Sequence, residues 1–317
     1  MYKSISLILL VALLAQCSPL NNDPNDQGSE TTNVESHDPL PSWIEGSHRD
    51  RIIKFVESAT DPNNPDFVPV AERIATFDND GTLWSEQPMY FQLYFAIDRA
   101  RQIGYEDLDG ALAGGLETLY PLLNATHTGM TAPEFKTIVE AWVDTARHPE
   151  SGKRYTEMVY QPMLELLDYL RANEFKTYIV SGGGLHFMRP WTESVYGIPA
   201  EQVVGTRPEV VFENDSTGPV IRRTGALEFL NDKEGKVVSI YHIIGHTPIM
   251  SVGNSDGDLA MLQYSTTSPY KSLQVYIHHT DSLREWAYDR DSHVGSLDAG
   301  LDQATRDGWL VVDMKSN

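Results

Sequence analysis

The chain has 317 residues, 41% of them hydrophobic, so it can bury one large core or a core with a smaller satellite domain. Its formal net charge of −21 repels polyanions, which argues against broad nucleic-acid binding. A single cysteine, Cys17, excludes an intramolecular disulfide and a cysteine-based zinc site. An anionic substrate would have to be bound locally, by a metal ion and a few cationic or N–H groups.

The N-terminal segment is typical of an exported protein. An apolar run over residues 5–15 is too short to span a bilayer but has the length of a secretory signal core. The sequence Leu-Ala-Gln-Cys at 14–17 resembles a bacterial lipobox, in which the cysteine becomes the lipidated first residue; Gln16 departs from the small residue usual there. Conventional cleavage and an uncleaved anchor are the alternatives. We expect residues 1–17 to be a signal that leaves the protein anchored to a membrane through Cys17.

Residues 18–42 are rich in Asn, Asp, Ser, Thr, Pro and Gly and contain almost nothing to bury. Such a segment cannot offset the entropy of ordering itself. The composition therefore predicts a flexible tether between the anchor and a globular part that starts near residue 43.

Strand-like and helix-like segments alternate through the globular part. Helices are predicted at 43–59, 89–102, 134–146, 160–172, 185–196, 235–244 and 259–264, and strands at 73–77, 177–180, 203–205, 249–252, 273–278 and 309–312, with a hairpin across 210–222. This order predicts an α/β fold with a doubly wound, Rossmann-like parallel sheet that binds ligands beyond the carboxyl ends of its strands. Helical sequence over 85–153 interrupts the alternation and predicts an inserted helical cap, with the core domain formed by 43–84 and 154–317.

The most informative motif is Phe-Asp-Asn-Asp-Gly-Thr at 77–82, directly after a predicted strand. Two carboxylates two residues apart, Asp78 and Asp80, can be aimed at one reacting centre, because Gly81 permits a tight turn. A simple polar turn that closes a strand is the alternative interpretation.

Three further polar sets follow in order. Ser181-Gly182-Gly183-Gly184 offers a hydroxyl and free N–H groups to phosphoryl oxygens, and Gly253-Asn254-Ser255-Asp256-Gly257-Asp258 offers oxygen ligands to a hard cation such as Mg²⁺. Between them, a lysine lies near a helix start, either Lys236 or Lys233. A helix-loop-helix calcium loop is excluded at the last set, because Leu259 and Ser265 stand where Gly and Glu are required.

Together, the four sets resemble the motifs of the haloacid dehalogenase-like superfamily, over residues 74–312. The subgroup that they resemble comprises phosphoserine-phosphatase-like members with a helical cap between the first two motifs. The resemblance implies a phosphatase that works through an aspartyl-phosphate, because its carbon–halogen-cleaving and ion-pumping relatives usually lack an aspartate at the position of Asp80.

The resemblance also implies roles for individual residues. Asp78 would be the nucleophile, and Asp80 would protonate the leaving alcohol and then activate water. Ser181 would bind a phosphoryl oxygen and Lys236 would offset the negative charge of nucleophile and phosphate. Mg²⁺ would be held by Asp78, Asp80 through its backbone carbonyl, Asn254 and Asp258, and the further substrate-binding residues would be Thr82, Gly182 and Gly183.

The motif at the fourth set departs from the family pattern, since Asn254 stands where many relatives have a metal-binding aspartate. One negative charge is lost there, unless Asp256 or Asp258 compensates for it. This departure supports an alternative function, a surface-attached binding protein that keeps the fold without turnover.

Glu86 lies close enough in sequence to Asp78 to contact a substrate. We expect it to be a substrate-binding residue, with the hypothesis that it recognises a cationic headgroup such as an amine. The expected substrate is a small extracytoplasmic phosphate ester.

Overall fold

One seven-stranded sheet is the framework of the described part of the chain, residues 38–113 and 116–317 of a computed structural model. In chain order the strands are β1 (Ile74–Phe77), β2 (Lys176–Gly184), β3 (Val203–Asp215), β4 (Gly218–Phe229), β5 (Met250–Gly253), β6 (Leu273–His278) and β7 (Leu310–Asp313). They are ordered β4-β3-β2-β1-β5-β6-β7, and every neighbouring pair is parallel except β3 and β4. The strands that precede the predicted site residues, β1, β2 and β5, are therefore adjacent.

Helices occupy the connections between the strands. They are α1 (Ser47–Thr60), α2 (Phe91–Ile103), α3 (Leu108–Ala113), α4 (Leu116–His127), α5 (Ala132–Thr145), α6 (Gln161–Ala172), α7 (Leu185–Met188), α8 (Thr192–Tyr196), α9 (Glu234–Ser239), α10 (Leu259–Ser265) and α11 (Ala299–Asp307). Helix α9 continues as a π-helical turn over Ile240–Ile244. The described residues contain no helix with enough length and apolar character to cross a bilayer.

The core lies on both faces of the sheet. Ala75 and Phe77 of β1 belong to an apolar cluster with residues of α1 and α6, whereas Ile74 belongs to a second cluster with residues of α10 and α11. Successive strand residues point to opposite faces, so β1 is buried on both sides and lacks an alternation of polar and apolar residues. The prediction of a doubly wound α/β sheet is confirmed.

Helices α2 to α5 all lie between β1 and β2 in the chain, where the cap was predicted. Aromatic residues hold them together: the ring of Phe95 lies 5.9 Å from that of Phe135 and 5.6 Å from that of Trp142, which stacks on Tyr155 at 4.6 Å. Helices α2 and α5 match predicted helices, whereas α3 and α4 were not predicted. The cap boundaries at 85 and 153 remain a prediction.

The hairpin β3–β4 is longer than the predicted span of 210–222. Its second strand pairs with the connection between α4 and α5, where Gly129 donates to the carbonyl of Arg223 and Arg223 donates to the carbonyl of Met130, both at 3.0 Å. These two hydrogen bonds attach the hairpin to the inserted helices and place the Arg223 side chain among them.

The globular part starts earlier than predicted. Leu40 is completely buried, and the Ser42 N–H donates to the carboxylate of Glu165 at 2.8 Å. The predicted end of the tether at residue 42 is therefore wrong, since the tether's last residues include an apolar side chain that packs into the core. The predicted signal, Cys17 and the rest of the tether lie outside the described residues.

Candidate active site

Three parallel strands bring the first, second and fourth motifs to one edge of the sheet. Phe77 at the end of β1 pairs with Ile179 of β2 and with Val252 of β5. The Asp78 N–H extends this pairing by one residue, since it donates to the carbonyl of Val252 at 2.9 Å. Asp78 and Asn254 consequently follow their strands at the same carboxyl edge, and Ser181 lies there within β2, two residues beyond Ile179. Ligands bind at this edge in sheets of this kind.

The turn after β1 folds the second carboxylate back toward the first. The carbonyl of Asn79 accepts hydrogen bonds from the N–H groups of Thr82, Leu83 and Trp84, and Gly81 adopts a φ of 72°. A side chain at Gly81 would also collide with Asn254, so glycine is required here on two counts. The predicted role of Gly81 as the turn residue fits this geometry.

Lys236 lies between two carboxylates of the site. Its Nζ donates to Asp78 Oδ1 at 2.6 Å and to Asp258 Oδ1 at 2.5 Å, and the side chain is 2% exposed. Burial disfavours the charged ammonium, but the two carboxylates outweigh it and raise the pKa of Lys236, which stays protonated. Lys233 is exposed, so the structure favours Lys236 over Lys233.

Burial and the neighbouring charge of Asp258 raise the pKa of Asp78 well above its ordinary value, although Lys236 opposes this shift. Burial also raises the pKa of Asp80, and a hydrogen bond from Trp84 Nε1 to Asp80 Oδ1, 2.8 Å long, counteracts it. The indole ring of Trp84 stacks on that of Trp191 at 4.4 Å, which fixes the donor. A carboxyl group with a raised pKa and a fixed position suits proton transfer near neutral pH.

The serine and glycine turn forms the end of strand β2 and leads directly into α7, for which Gly184 is the N-cap residue. Gly183 N–H donates to Ser181 Oγ at 3.0 Å, and Gly184 N–H donates to Gln92 Oε1 of α2 at 2.7 Å. The prediction that these N–H groups are free is wrong for both glycines, because the strand continues and Gln92 reaches it from the cap. Ser181 keeps its hydroxyl proton available for a substrate oxygen, since its Oγ accepts the bond from Gly183.

Asp80 faces this turn. A β-carbon placed on Gly183 would lie 3.2 Å from Ser181 Oγ and 3.6 Å from Asp80 Oδ2, so both groups border the same small space. Gly182 is the next residue toward Ser181, where a β-carbon would meet only Asp232, at 3.6 Å. The predicted phosphate-binding residues and the predicted acid–base residue are therefore brought together.

Asp256 and Asp258 are both engaged elsewhere. Asp258 Oδ2 accepts hydrogen bonds from the Asn254 and Ser255 N–H groups at 3.0 and 3.1 Å, and its Oδ1 accepts from Lys236. Asp256 accepts from the N–H groups that begin α11, the shortest at 2.8 Å from Gly300. These contacts give no support to a direct metal-ligand role for Asp258, which stays a prediction, and they bind Asp256 to the helix.

Glu86 lies against Asn254. Its Oε1 accepts from Asn254 Nδ2 at 2.6 Å and from Tyr288 OH at 2.9 Å, and the residue is 2% exposed. Burial and the charges of Asp80 and Asp78 raise the pKa of Glu86 well above its ordinary value, whereas the hydrogen bonds from Tyr288 and Asn254 stabilise the carboxylate and oppose this shift. Thr82 Oγ1 donates to Asn254 Oδ1 at 3.2 Å, which places Thr82 at the predicted metal ligand. The proposed recognition of an amine by Glu86 remains a prediction.

Sequence reasoning did not identify His279, which directly follows β6. His279 Nε2 lies 2.7 Å from the carbonyl of Gly81, and Nδ1 lies 3.3 Å from Glu285 Oε2. The ring also stacks on Tyr288 at 4.4 Å. This support for the first motif comes from about two hundred residues away, and no local pattern could have indicated it.

In the described part of the chain, no group of three or more His, Cys, Asp and Glu side chains is arranged to hold a metal ion by itself. However, four carboxylates surround the site, three of them buried and one, Asp80, half-buried, and Lys236 contacts two of the four, Asp78 and Asp258. The four are Asp78, Asp80, Glu86 and Asp258. The excess of buried negative charge and the oxygen-only donor set, with the Asn254 amide, fit a hard divalent cation such as Mg²⁺.

The chain belongs to the haloacid dehalogenase-like hydrolase family, whose model matches residues 75–263. The predicted superfamily is thereby confirmed. No curated protein matches the sequence at a significant level.

Several solved structures are similar to this chain. A conserved, functionally unknown protein from Anaerococcus prevotii is 18% identical, with 83% of this chain and 90% of that one covered and a TM-score of 0.50. A protein of unknown function from Bordetella pertussis is 17% identical, with 76% and 98% covered and a TM-score of 0.51. A phosphoserine phosphohydrolase-like protein from Francisella tularensis is 16% identical, with 65% and 87% covered and a TM-score of 0.38.

Proposed function

We propose that this hydrolase is a Mg²⁺-dependent phosphomonoesterase that acts through an aspartyl-phosphate on Asp78. One observation carries the proposal: the carboxylate of Asp78 is bonded to a buried, protonated Lys236, and the second carboxylate, Asp80, borders the Ser181 hydroxyl. This arrangement combines a nucleophile, a proton carrier and two groups that neutralise or bind phosphoryl oxygens. The resemblance to phosphoserine-phosphatase-like members belongs to the same proposal.

The reaction has two half-reactions. The Asp78 carboxylate attacks phosphorus, the ester P–O bond breaks, and Asp80 gives its proton to the departing alkoxide. Asp80 then takes a proton from a water molecule that attacks the phosphorus of the aspartyl-phosphate, which releases phosphate and restores Asp78. The raised pKa of Asp80 helps it to carry the proton in the first step, and the Trp84 indole keeps its carboxylate in place for both.

Lys236 and Ser181 supply fixed charge and hydrogen bonding. The ammonium offsets the negative charge of the nucleophile, and the Ser181 hydroxyl proton binds a phosphoryl oxygen. Asp78, the Asp80 backbone carbonyl and the Asn254 side chain would hold Mg²⁺, which when bound stabilises the charge on the transferring phosphoryl group.

The proposed substrate is a small phosphate ester outside the cytoplasm. The N-terminal signal-like sequence and Cys17 support export and a lipid anchor. A mutase function is disfavoured, since an exported enzyme would seldom meet the phosphorylated sugar pool of the cytoplasm. The net charge of −21 disfavours nucleic acid as a substrate.

Hydrolysis of p-nitrophenyl phosphate with and without millimolar Mg²⁺ tests the proposal. The native protein should turn over only with Mg²⁺, and Asp78→Asn should lower turnover by at least about 100-fold. Asp66→Asn, the same change at a surface carboxylate, is the control and should keep full activity. Phosphate incorporation into the native protein during turnover, absent in Asp78→Asn, should identify the covalent intermediate.

Silence of the native protein at every Mg²⁺ concentration would favour the alternative, a binding protein on the same fold. Asn254 is the residue that supports that alternative, since it weakens the expected metal site. Full activity in Asp78→Asn would contradict the proposed nucleophile.

A further inference from the structure

The metal site of this chain lacks one carboxylate at Asn254, and neither nearby aspartate replaces it. Asp258 uses both carboxylate oxygens to bind Lys236 and the backbone of 254–255. Asp256 is bonded to the first turn of α11. The compensating charge must therefore come from another part of the chain.

Glu86 is the carboxylate in contact with the Asn254 side chain. Its Oε1 lies 2.6 Å from Asn254 Nδ2, and the opposite end of the same amide, Oδ1, accepts from Thr82 Oγ1. A hydrogen bond from the amide to a carboxylate fixes which way the amide is turned and polarises its oxygen. The Asn254 oxygen is thus held away from Glu86, on the side of the first motif.

Two glycines leave room for the Glu86 carboxylate. Gly81 and Gly295 both adopt positive φ angles, of 72° and 70°, and a β-carbon on either would collide with Glu86 Oε1. Tyr288 OH donates to the same oxygen at 2.9 Å. Glu86 is therefore enclosed by the neighbouring turn that contains Gly81 and by a distant segment that contains Tyr288 and Gly295.

We propose that Glu86 is a positioning residue for the divalent cation: it orients the Asn254 amide oxygen toward the ion and restores the negative charge that position 254 has lost. This inference rests on the proposed function, since it requires a cation at the site. In this chain the Glu86–Asn254 pair would take the place of the single aspartate that many relatives have at position 254. The carboxylate would then lie one side chain further from the ion.

Titration calorimetry with Mg²⁺ alone, on the full-length protein without substrate, measures the effect. Carboxylates that orient a metal ligand typically contribute 10–100-fold to metal affinity. We therefore expect Glu86→Gln to weaken Mg²⁺ binding by about 10–100-fold. Asn254→Asp added to Glu86→Gln should return the affinity to within about threefold of native. The second change moves the charge to the ligand itself, and the amide introduced at position 86 can still donate a hydrogen bond to the carboxylate at position 254.

Tyr288→Phe is the matched control, since it removes a hydrogen bond to the same oxygen without changing the charge. Its Mg²⁺ affinity should stay within about threefold of native. An equal loss in Tyr288→Phe and Glu86→Gln would show that packing around the oxygen, not the carboxylate, controls binding, and would overturn the inference.

The outcomes separate the inference from the proposed function. If the native protein binds no Mg²⁺, the proposed metal dependence fails. If native binding is lost in Asp78→Asn but unchanged in Glu86→Gln, only the inference fails. A changed preference for amine-bearing esters in Glu86→Gln at unchanged Mg²⁺ affinity would assign Glu86 to the substrate instead. Should Glu86→Gln not fold, the double variant decides: binding weaker than native by about tenfold or more contradicts the inference.

Discussion

At the scale of single residues, Lys236 controls the charge of the site. It bonds Asp78 and Asp258 at 2.6 and 2.5 Å inside a region that is almost closed to solvent. Each of those carboxylates would be costly to bury alone, so the lysine serves stability as well as chemistry. Its neighbour three residues earlier, Lys233, is exposed and provides an internal comparison.

Replacement of the buried Lys236 should therefore lower both the stability of the protein and its turnover. We expect Lys236→Met to lower the free energy of unfolding by about 3–5 kcal/mol, because it leaves buried carboxylates without their cation. Turnover should fall at least about 100-fold. Urea denaturation and the aryl phosphate assay measure the two effects. Lys233→Met should change the unfolding free energy by no more than about 0.5 kcal/mol, and equal effects at both lysines would refute this account.

Local spacing in the sequence predicted the residues that follow strands, including Asp78, Ser181 and Asn254. Contacts between distant segments could not be predicted this way. Gln92, which occupies the Gly184 N–H, and His279, which binds the Gly81 carbonyl, come from a cap helix and from the end of β6. Neither has a neighbouring residue pattern that indicates a functional position.

At the scale of elements, a series of hydrogen-bonded polar side chains connects the active-site turn to the cap and the hairpin. Gln92 accepts from Gly184 N–H, so its amide nitrogen faces His127 Nε2 at 3.2 Å. Nε2 of His127 must therefore accept a hydrogen bond from Gln92. The ring proton is then on Nδ1, which donates to Thr126 Oγ1 at 2.8 Å. Arg223 of β4 donates to the carbonyl of His127 at 2.6 Å, which links the hairpin to this series of contacts.

This buried histidine should make stability depend on pH. Burial and the charge of Arg223 lower the pKa of His127 to about 3, while unfolded histidine titrates near 6.5. The unfolded chain therefore binds the proton first, and the stability present above pH 6.5 is lost as pH falls toward 3. His127→Gln should make the decline between about pH 6 and 4 shallower, by up to about 1.4 kcal/mol per pH unit.

Urea denaturation at several pH values checks this slope. Leu122→Ala, a neutral core change in the same helix, should lower stability equally at every pH. Parallel curves for the native protein and His127→Gln would show that His127 is not held neutral.

The element boundaries show where sequence reasoning reached its limit. Strand β2 was predicted to end at residue 180, but its pairing with β3 continues to Gly184, where glycines carry no side-chain signal. Helix α4 contains Pro121 and α3 contains Gly110, residues that argue against helix when read locally. Tertiary packing of the inserted helices outweighs both.

At the scale of the whole molecule, the proposed location depends on Cys17. A single acyl chain gives only marginal membrane binding, whereas two chains anchor a protein stably. We expect the native protein to fractionate mainly with membranes and Cys17→Ser to move mainly to the soluble exported fraction. Fractionation of the expressing cells measures this. An unchanged distribution would contradict the lipid anchor and leave conventional cleavage or an uncleaved anchor as the alternatives.

The segment after β6 supplies partners to the first motif, to Glu86 and to the fourth motif. Gly81 is bonded to His279, Glu86 to Tyr288, and Asp256 to the start of α11. A ribosome that has synthesised the chain only as far as β6 has therefore already made all four family motifs, yet the first and the fourth still lack these partners. We therefore expect catalytic activity only after the segment beyond β6 has been translated. A product that ends at β6 should be inactive although it contains every motif residue.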